Sequence, residues 1–159
     1  LNLPSDLPQW SKFETPIFTP TTKGIKDEPL NSEKVRIKFP EIVTSLEKLF
    51  KDFTAFAEAR GIIVVDTKFE IFVNSKGEWV LGDEVLTPES SRFIALEDFK
   101  NSNFISMDKQ ILRDFGKKEN WKEQSKSLKS GEKLEVVVPK EIEDKILSGY
   151  KTILERLSK

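Results

Sequence analysis

A β-rich run loaded with charge constrains this chain more than any other stretch. Val64-Val65-Asp66-Thr67-Lys68-Phe69-Glu70 precedes the turn-forming Asn74-Ser75-Lys76-Gly77, and Gly82-Asp83-Glu84-Val85-Leu86 follows it. Two β-prone segments around such a turn predict a hairpin. Burying an unpartnered charge is costly, so carboxylates and a lysine on a packed hairpin point to a ligand or to one another. Symmetric pairing sets Val73 opposite Glu78, Ile71 opposite Val80, Glu70 opposite Leu81 and Lys68 opposite Asp83. Alternation then lines one face with Asp66, Lys68, Glu70, Leu81, Asp83 and Val85. Thr67, Phe69, Ile71, Val73, Val80 and Gly82 line the core face. In that register Glu70 and Asp83 are diagonal neighbours, about 7–8 Å apart at the backbone. Two carboxylates so placed suit Mg²⁺, which takes one or two of them plus substrate phosphates. A one-residue bulge would undo the pairing. Charge spacing alone equally fits an internal ion-pair lattice of Lys68 with Asp66, Glu70 and Asp83.

Composition removes several chemistries. The 159 residues contain no Cys and no His, which excludes disulfides, thiolate nucleophiles, zinc-finger sites and imidazole acid–base catalysis. Any general base must be a carboxylate, a lysine or the substrate. Lys+Arg 26 against Asp+Glu 27 gives a formal charge of −1, so no global field recruits nucleic acid or anionic membrane. No apolar run reaches the roughly 18 residues of a membrane span, and a cytoplasmic setting is the expectation. The pattern leaves a homo-oligomer open.

The remaining organisation reads as one α+β domain. Five of the eight prolines fall within residues 1–32, which predicts extended or looped chain there. Thr19, Thr21, Thr22 and Lys23 read either as a solvated turn or as a hydroxyl-and-ammonium collar for phosphates or carboxylates. Pro40 to Arg60 is an amphipathic helix with Ile42, Leu46, Leu49, Phe53 and Phe56 inward, ended by Gly61. Residues 87–104 are expected to be a loop. Ser106 would cap a helix from Met107 to Phe115, closed by Gly116, with Lys109 and Arg113 on one face as an anion-binding strip or a solvated surface. Residues 117–133 look like a connection. Pro139 opens a final helix with Ile142, Ile146, Tyr150, Ile153 and Leu157 inward, packed on the sheet or the first helix.

Four ordered segments resemble one family. Val64-Val65-Asp66-Thr67-Lys68-Phe69-Glu70-Ile71-Phe72 is similar to the pattern apolar-apolar-Asp-x-Lys-apolar-Glu-Phe-Gly. Asp83-Glu84-Val85-Leu86-Thr87-Pro88-Glu89-Ser90-Ser91-Arg92-Phe93 matches a second pattern, with Glu89 in place of aspartate. Pro16-Ile17-Phe18-Thr19-Pro20-Thr21-Thr22-Lys23 and Ser106-Met107-Asp108-Lys109-Gln110-Ile111-Leu112-Arg113-Asp114 match two more. All belong to the phosphoribosylaminoimidazole-succinocarboxamide synthase, or SAICAR synthetase, family of purine biosynthesis. Ile71-Phe72 replaces the family's Phe-Gly, Ile94 its tryptophan and Lys26 its histidine. The family's first signature and its N-terminal nucleotide-binding region have no counterpart here, so residues 1–159 are expected to be the C-terminal catalytic and substrate-binding part.

The resemblance implies an α+β fold with an antiparallel sheet, a central charged hairpin and packed amphipathic helices. It implies ATP-dependent joining of L-aspartate to carboxyaminoimidazole ribonucleotide through an acyl-phosphate, giving SAICAR, ADP and phosphate. ATP and Mg²⁺ are the implied cofactors, with Glu70 and Asp83 as metal-linked carboxylates. Lys68 would neutralise the transferring phosphoryl group or the substrate carboxylate. Asp66 would orient Lys68 or act as a base. Ser91 and Arg92 would bind the substrate phosphate, Lys109 and Arg113 an acidic substrate, and Thr21 and Lys23 would border the site. The alternative is a non-catalytic nucleotide- or partner-binding module derived from that fold.

Overall fold

A computed structural model describes residues 6–8, 10–24 and 26–159. The extended reading of residues 1–32 therefore falls partly outside the described residues, at positions 1–5, 9 and 25. The fold is α+β, but the chain forms two compact units, Leu1–Asp52 and Phe53–Lys159, where the sequence predicts one domain. No helix among the described residues is long and apolar enough to cross a membrane.

In the first unit the described residues of the proline-rich segment are irregular up to Asn31, apart from a bridge between Thr21 and Pro29. The Thr22 amide donates to Glu28 O and the Leu30 amide to Pro20 O, both at 2.9 Å. Helix α1 (Ser32–Lys38) starts at Asn31, whose side chain accepts from the Lys34 amide at 2.9 Å. This satisfies one of the otherwise orphaned first-turn donors. Helix α2 (Pro40–Glu58), which belongs to the second unit from Phe53 onward, begins at the predicted proline and stops just before Gly61, whose φ of +75° suits glycine. Its stripe is buried or half-buried as predicted except at Phe56, which is 39% exposed. There the Arg60 guanidinium covers the ring at 3.6 Å.

In the second unit, β1 (Ile62–Thr67) pairs antiparallel with β4 (Ser91–Ala95), and β2 (Glu70–Val73) with β3 (Trp79–Gly82). Phe93, Ile62 and Ile94 are its largest fully buried apolar side chains. Three expectations are corrected here. The hairpin register is Glu70 with Gly82, Ile71 with Leu81, Phe72 with Val80 and Val73 with Trp79, one residue from symmetric pairing. Asn74 explains the slip, because its side chain accepts from the Lys76 and Glu78 amides and takes Glu78 into the turn. The predicted long strand is also two strands: β1 leaves the hairpin after Thr67 and pairs with β4 across a bulge between Val64 and Asp66. Residues 87–104, expected to be a loop, contain β4 and helix α3 (Leu96–Lys100).

The C-terminal helices differ in their limits. Helix α4 spans Gln110–Lys118, so Ser106 does not cap it and Gly116 lies inside it. The residues read as a connection carry helix α5 (Trp121–Lys126). Helix α6 (Lys140–Leu157) follows Pro139 as predicted and packs against α4. A Cβ added at Gly149 would stand 2.6 Å from Met107 O, so only glycine permits this close approach of α6.

At the far end of α6, Arg156 donates to Gly61 O at 2.7 Å and pairs with Glu97 of α3. The guanidinium, followed by the Glu97 backbone amide, holds the Glu97 carboxyl down at about 2, from 4.5. A depressed folded-state pKa contributes stability above the unfolded value and loses it as pH falls towards 2. The contribution is small because the pair is exposed and screened. Carboxyl NMR titration is expected to place Glu97 near 2 in the wild type and higher in Arg156→Ala, where the backbone amide still keeps it below the ordinary 4.5. An unmoved midpoint would dissolve the pair.

Candidate active site

A polar cavity of about 140 Å³ gathers Lys68, Glu70, Asp83, Glu84, Glu89, Ser90 and Lys109. These residues come from the β1–β2 link, β2, the segment after β3, the turn before β4 and the residue preceding α4. The corrected register makes this convergence unexpected. Gly82 shares the Glu70 face, so strict alternation would send Asp83 to the opposite side. Asp83, however, lies outside β3 with φ of +58°, a left-handed conformation that aspartate tolerates better than most residues. Alternation ends there, and both carboxylates line one cavity.

Glu70 is only 8% exposed, and its Oε1 accepts from Lys68 Nζ at 2.8 Å. Part of the predicted ion-pair lattice is therefore present. Asp66 belongs to a different pair: both its oxygens accept from Arg92, its cross-strand partner beside the β1 bulge. This hydrogen bond, more than the accompanying charge, raises the Arg92 pKa. Asp66 thus orients Arg92, not Lys68, and neither lines the cavity. Ser91 is 4% exposed, with its Oγ 2.8 Å from Thr67 Oγ1, while its neighbour Ser90 faces the cavity.

The turn holding Glu89 and Ser90 is built by Thr87. Its Oγ1 accepts from the Glu89 amide at 3.2 Å, and its carbonyl from the Ser90 and Ser91 amides. Ser90 O then accepts from the Lys68 amide at 2.9 Å, tying the turn to the β1–β2 link. Asp108 secures the other wall. Fully buried, it accepts from the Phe93 amide at 2.8 Å, Ser106 Oγ at 2.6 Å and the Gln110 amide at 2.7 Å. One carboxylate thereby joins β4 to the first turn of α4 and places Lys109.

Lys109 and Arg113 do not share a cavity. Lys109 reaches Glu89 Oε2 at 3.4 Å, whereas Arg113 borders a second, more apolar hollow with Leu112, Gly116 and Trp121. Thr21 and Lys23 lie in the first unit, with Thr21 in its bridge. Sequence reasoning did not single out Glu84, Ser90, Asp108 or Tyr150. The first three sit inside segments quoted for the resemblance. Tyr150, whose hydroxyl donates to Glu89 Oε1, carries no sequence signal beyond its inward place on α6.

The donor set fits a hard cation, since Glu70, Asp83 and Glu84 offer carboxylate oxygens to one polar cavity. No group of three or more acidic side chains among the described residues could hold a metal by itself. Such a site would need oxygens from a ligand, as Mg²⁺ takes from phosphates.

The family model for SAICAR synthetase matches residues 2–128. The phosphoribosylaminoimidazole-succinocarboxamide synthase of Histophilus somni is 35% identical over 168 positions, covering 100% of this chain and 56% of the relative. The SAICAR-synthase from Saccharomyces cerevisiae complexed with SAICAR has a TM-score of 0.67 at 33% identity, over 98% of this chain and 50% of that one. A SAICAR synthetase in complex with ADP shares the fold, with a TM-score of 0.62 at 23% identity over 96% of this chain and 55% of that one. The chain spans about half the length of the curated relatives it matches.

Proposed function

Because the chain belongs to the SAICAR synthetase family, we propose that residues 1–159 form the C-terminal catalytic and substrate-binding part of an ATP-dependent purine-biosynthetic ligase. The reaction joins L-aspartate to the carboxylate of carboxyaminoimidazole ribonucleotide in the cytoplasm. The observation that carries this reading is the convergence of Glu70, Asp83, Lys68 and Lys109 on one cavity.

A carboxylate is a poor acyl donor, so its oxygen first takes the γ-phosphorus of ATP and ADP departs. The aspartate nitrogen then bonds to the acyl carbon, phosphate leaves and an amine proton is lost. Phosphoryl transfer of this kind needs positioning and charge neutralisation more than a covalent group from the protein, which suits a chain without His or Cys. Mg²⁺, when bound, screens the phosphate charge. Glu70 and Asp83 would hold it. Lys68, paired with Glu70, steadies the charge on the transferring group or the substrate carboxylate. Arg92, oriented by Asp66, offers its guanidinium to the substrate phosphate beside Ser91. Lys109 and Arg113 receive acidic substrate groups.

The test is chemical-shift mapping of the isotope-labelled chain with SAICAR and, separately, with Mg·ADP. SAICAR is expected to move Lys68, Asp83, Ser90 and Lys109. A response to Mg·ADP with none to SAICAR would leave a nucleotide-binding module in its place. Silence to both at millimolar ligand would end the proposal.

A further inference from the structure

Tyr150 stands on α6, beyond the residues matched by the family model. Its hydroxyl donates to Glu89 Oε1, and Glu89 Oε2 faces Lys109 Nζ at 3.4 Å. Glu89 Oε2 and Lys109 Nζ thus stand further apart than the about 2.7–2.9 Å of a close ammonium–carboxylate hydrogen bond. Glu89 and Lys109 both line the cavity.

We propose that Tyr150 is a positioning residue: by holding one oxygen of Glu89, it stops that carboxylate from closing over Lys109 and leaves the ammonium able to receive a substrate carboxylate. The inference rests on the proposed function, in which Lys109 meets an acidic substrate. Glu89 occupies the position of the family's aspartate, and its longer side chain carries the carboxylate further from the backbone to meet α6. The glycine at 149 lets α6 come close enough on the Met107 side. The electrostatics agree. The Tyr150 hydrogen bond, then Lys109 and the nearby Arg113, lower the Glu89 pKa. Burial, then Glu89, with Asp108 and Glu84 adding to it, raises that of Tyr150, which stays a donor at ordinary pH.

Tyr150→Phe removes only the hydroxyl. L-Aspartate titrated into the labelled protein, followed at the Lys109 resonances, is expected to bind about five-fold or more weakly in this variant, as loss of a charge-assisted hydrogen bond allows. Adding Glu89→Gln removes the competing charge and is expected to restore affinity. A loss that Glu89→Gln does not rescue would assign Tyr150 to packing and overturn the proposal, as would unchanged affinity in Tyr150→Phe. If the wild type itself does not bind aspartate, the proposed substrate fails separately, and the Lys109 side-chain resonances of the ligand-free protein decide the positioning role. A shift in Tyr150→Phe that Glu89→Gln reverses upholds it; no shift, or one that Glu89→Gln leaves in place, overturns it.

Discussion

Under the proposed function, alanine at Glu70 or at Asp83 is expected to lower Mg²⁺-dependent SAICAR formation by the intact enzyme about 100-fold or more, the scale on which removing one electrostatic stabiliser acts. Each variant removes one of the two carboxylates assigned to the cation, and Glu70→Ala also removes the 2.8 Å partner of Lys68. The two variants should differ in stability. Glu70 is buried in β2, so its loss leaves a hole where its carboxylate met Lys68. Asp83 is exposed and left-handed, a conformation that aspartate tolerates better than alanine, so its loss costs at most the roughly 1–2 kcal/mol of that backbone region. Steady-state rates against Mg²⁺ concentration, with circular dichroism as a check on folding, separate the two effects. Full activity in both variants would withdraw the metal assignment.

Asp108→Ala is expected to destabilise the second unit by about 3 kcal/mol or more, since it orphans the Phe93 and Gln110 amides and the Ser106 hydroxyl in the interior. That is a sizeable fraction of the roughly 5–15 kcal/mol holding a typical domain. Asp108→Asn keeps one oxygen acceptor but turns an amide donor towards another donor, so an intermediate loss is expected. Urea denaturation midpoints for the three proteins measure this. A cost below 1 kcal/mol for alanine, on the order of a surface change, would mean that this carboxylate does not tie β4 to α4.

The sequence made legible those features governed by local periodicity. The stripes of α2 and α6, and the proline and glycine at their ends, needed no tertiary information. The hairpin was visible in its turn, but its register was not, because the Asn74 side chain moved pairing by one residue. Strand β4 was hidden among Ser91 and Arg92, polar residues whose partners, Thr67 and Asp66, lie far away in sequence. Glu70 and Asp83 reached one cavity even though the predicted register failed, through a left-handed residue that alternation rules do not foresee. Tyr150 shows the opposite limit. On a helical wheel its ring is an ordinary core member, and only the folded chain reveals what its hydroxyl meets.

Gly149 sets a mechanical coupling. With backbone resting on backbone at Met107, α6 has no side-chain cushion to absorb displacement. Any shove on that C-terminal rod would pass directly into the strand-like stretch leading to Lys109, and from there to the mouth of the cavity. A single absent methyl group thus makes α6 a lever on the place where chemistry is proposed to occur.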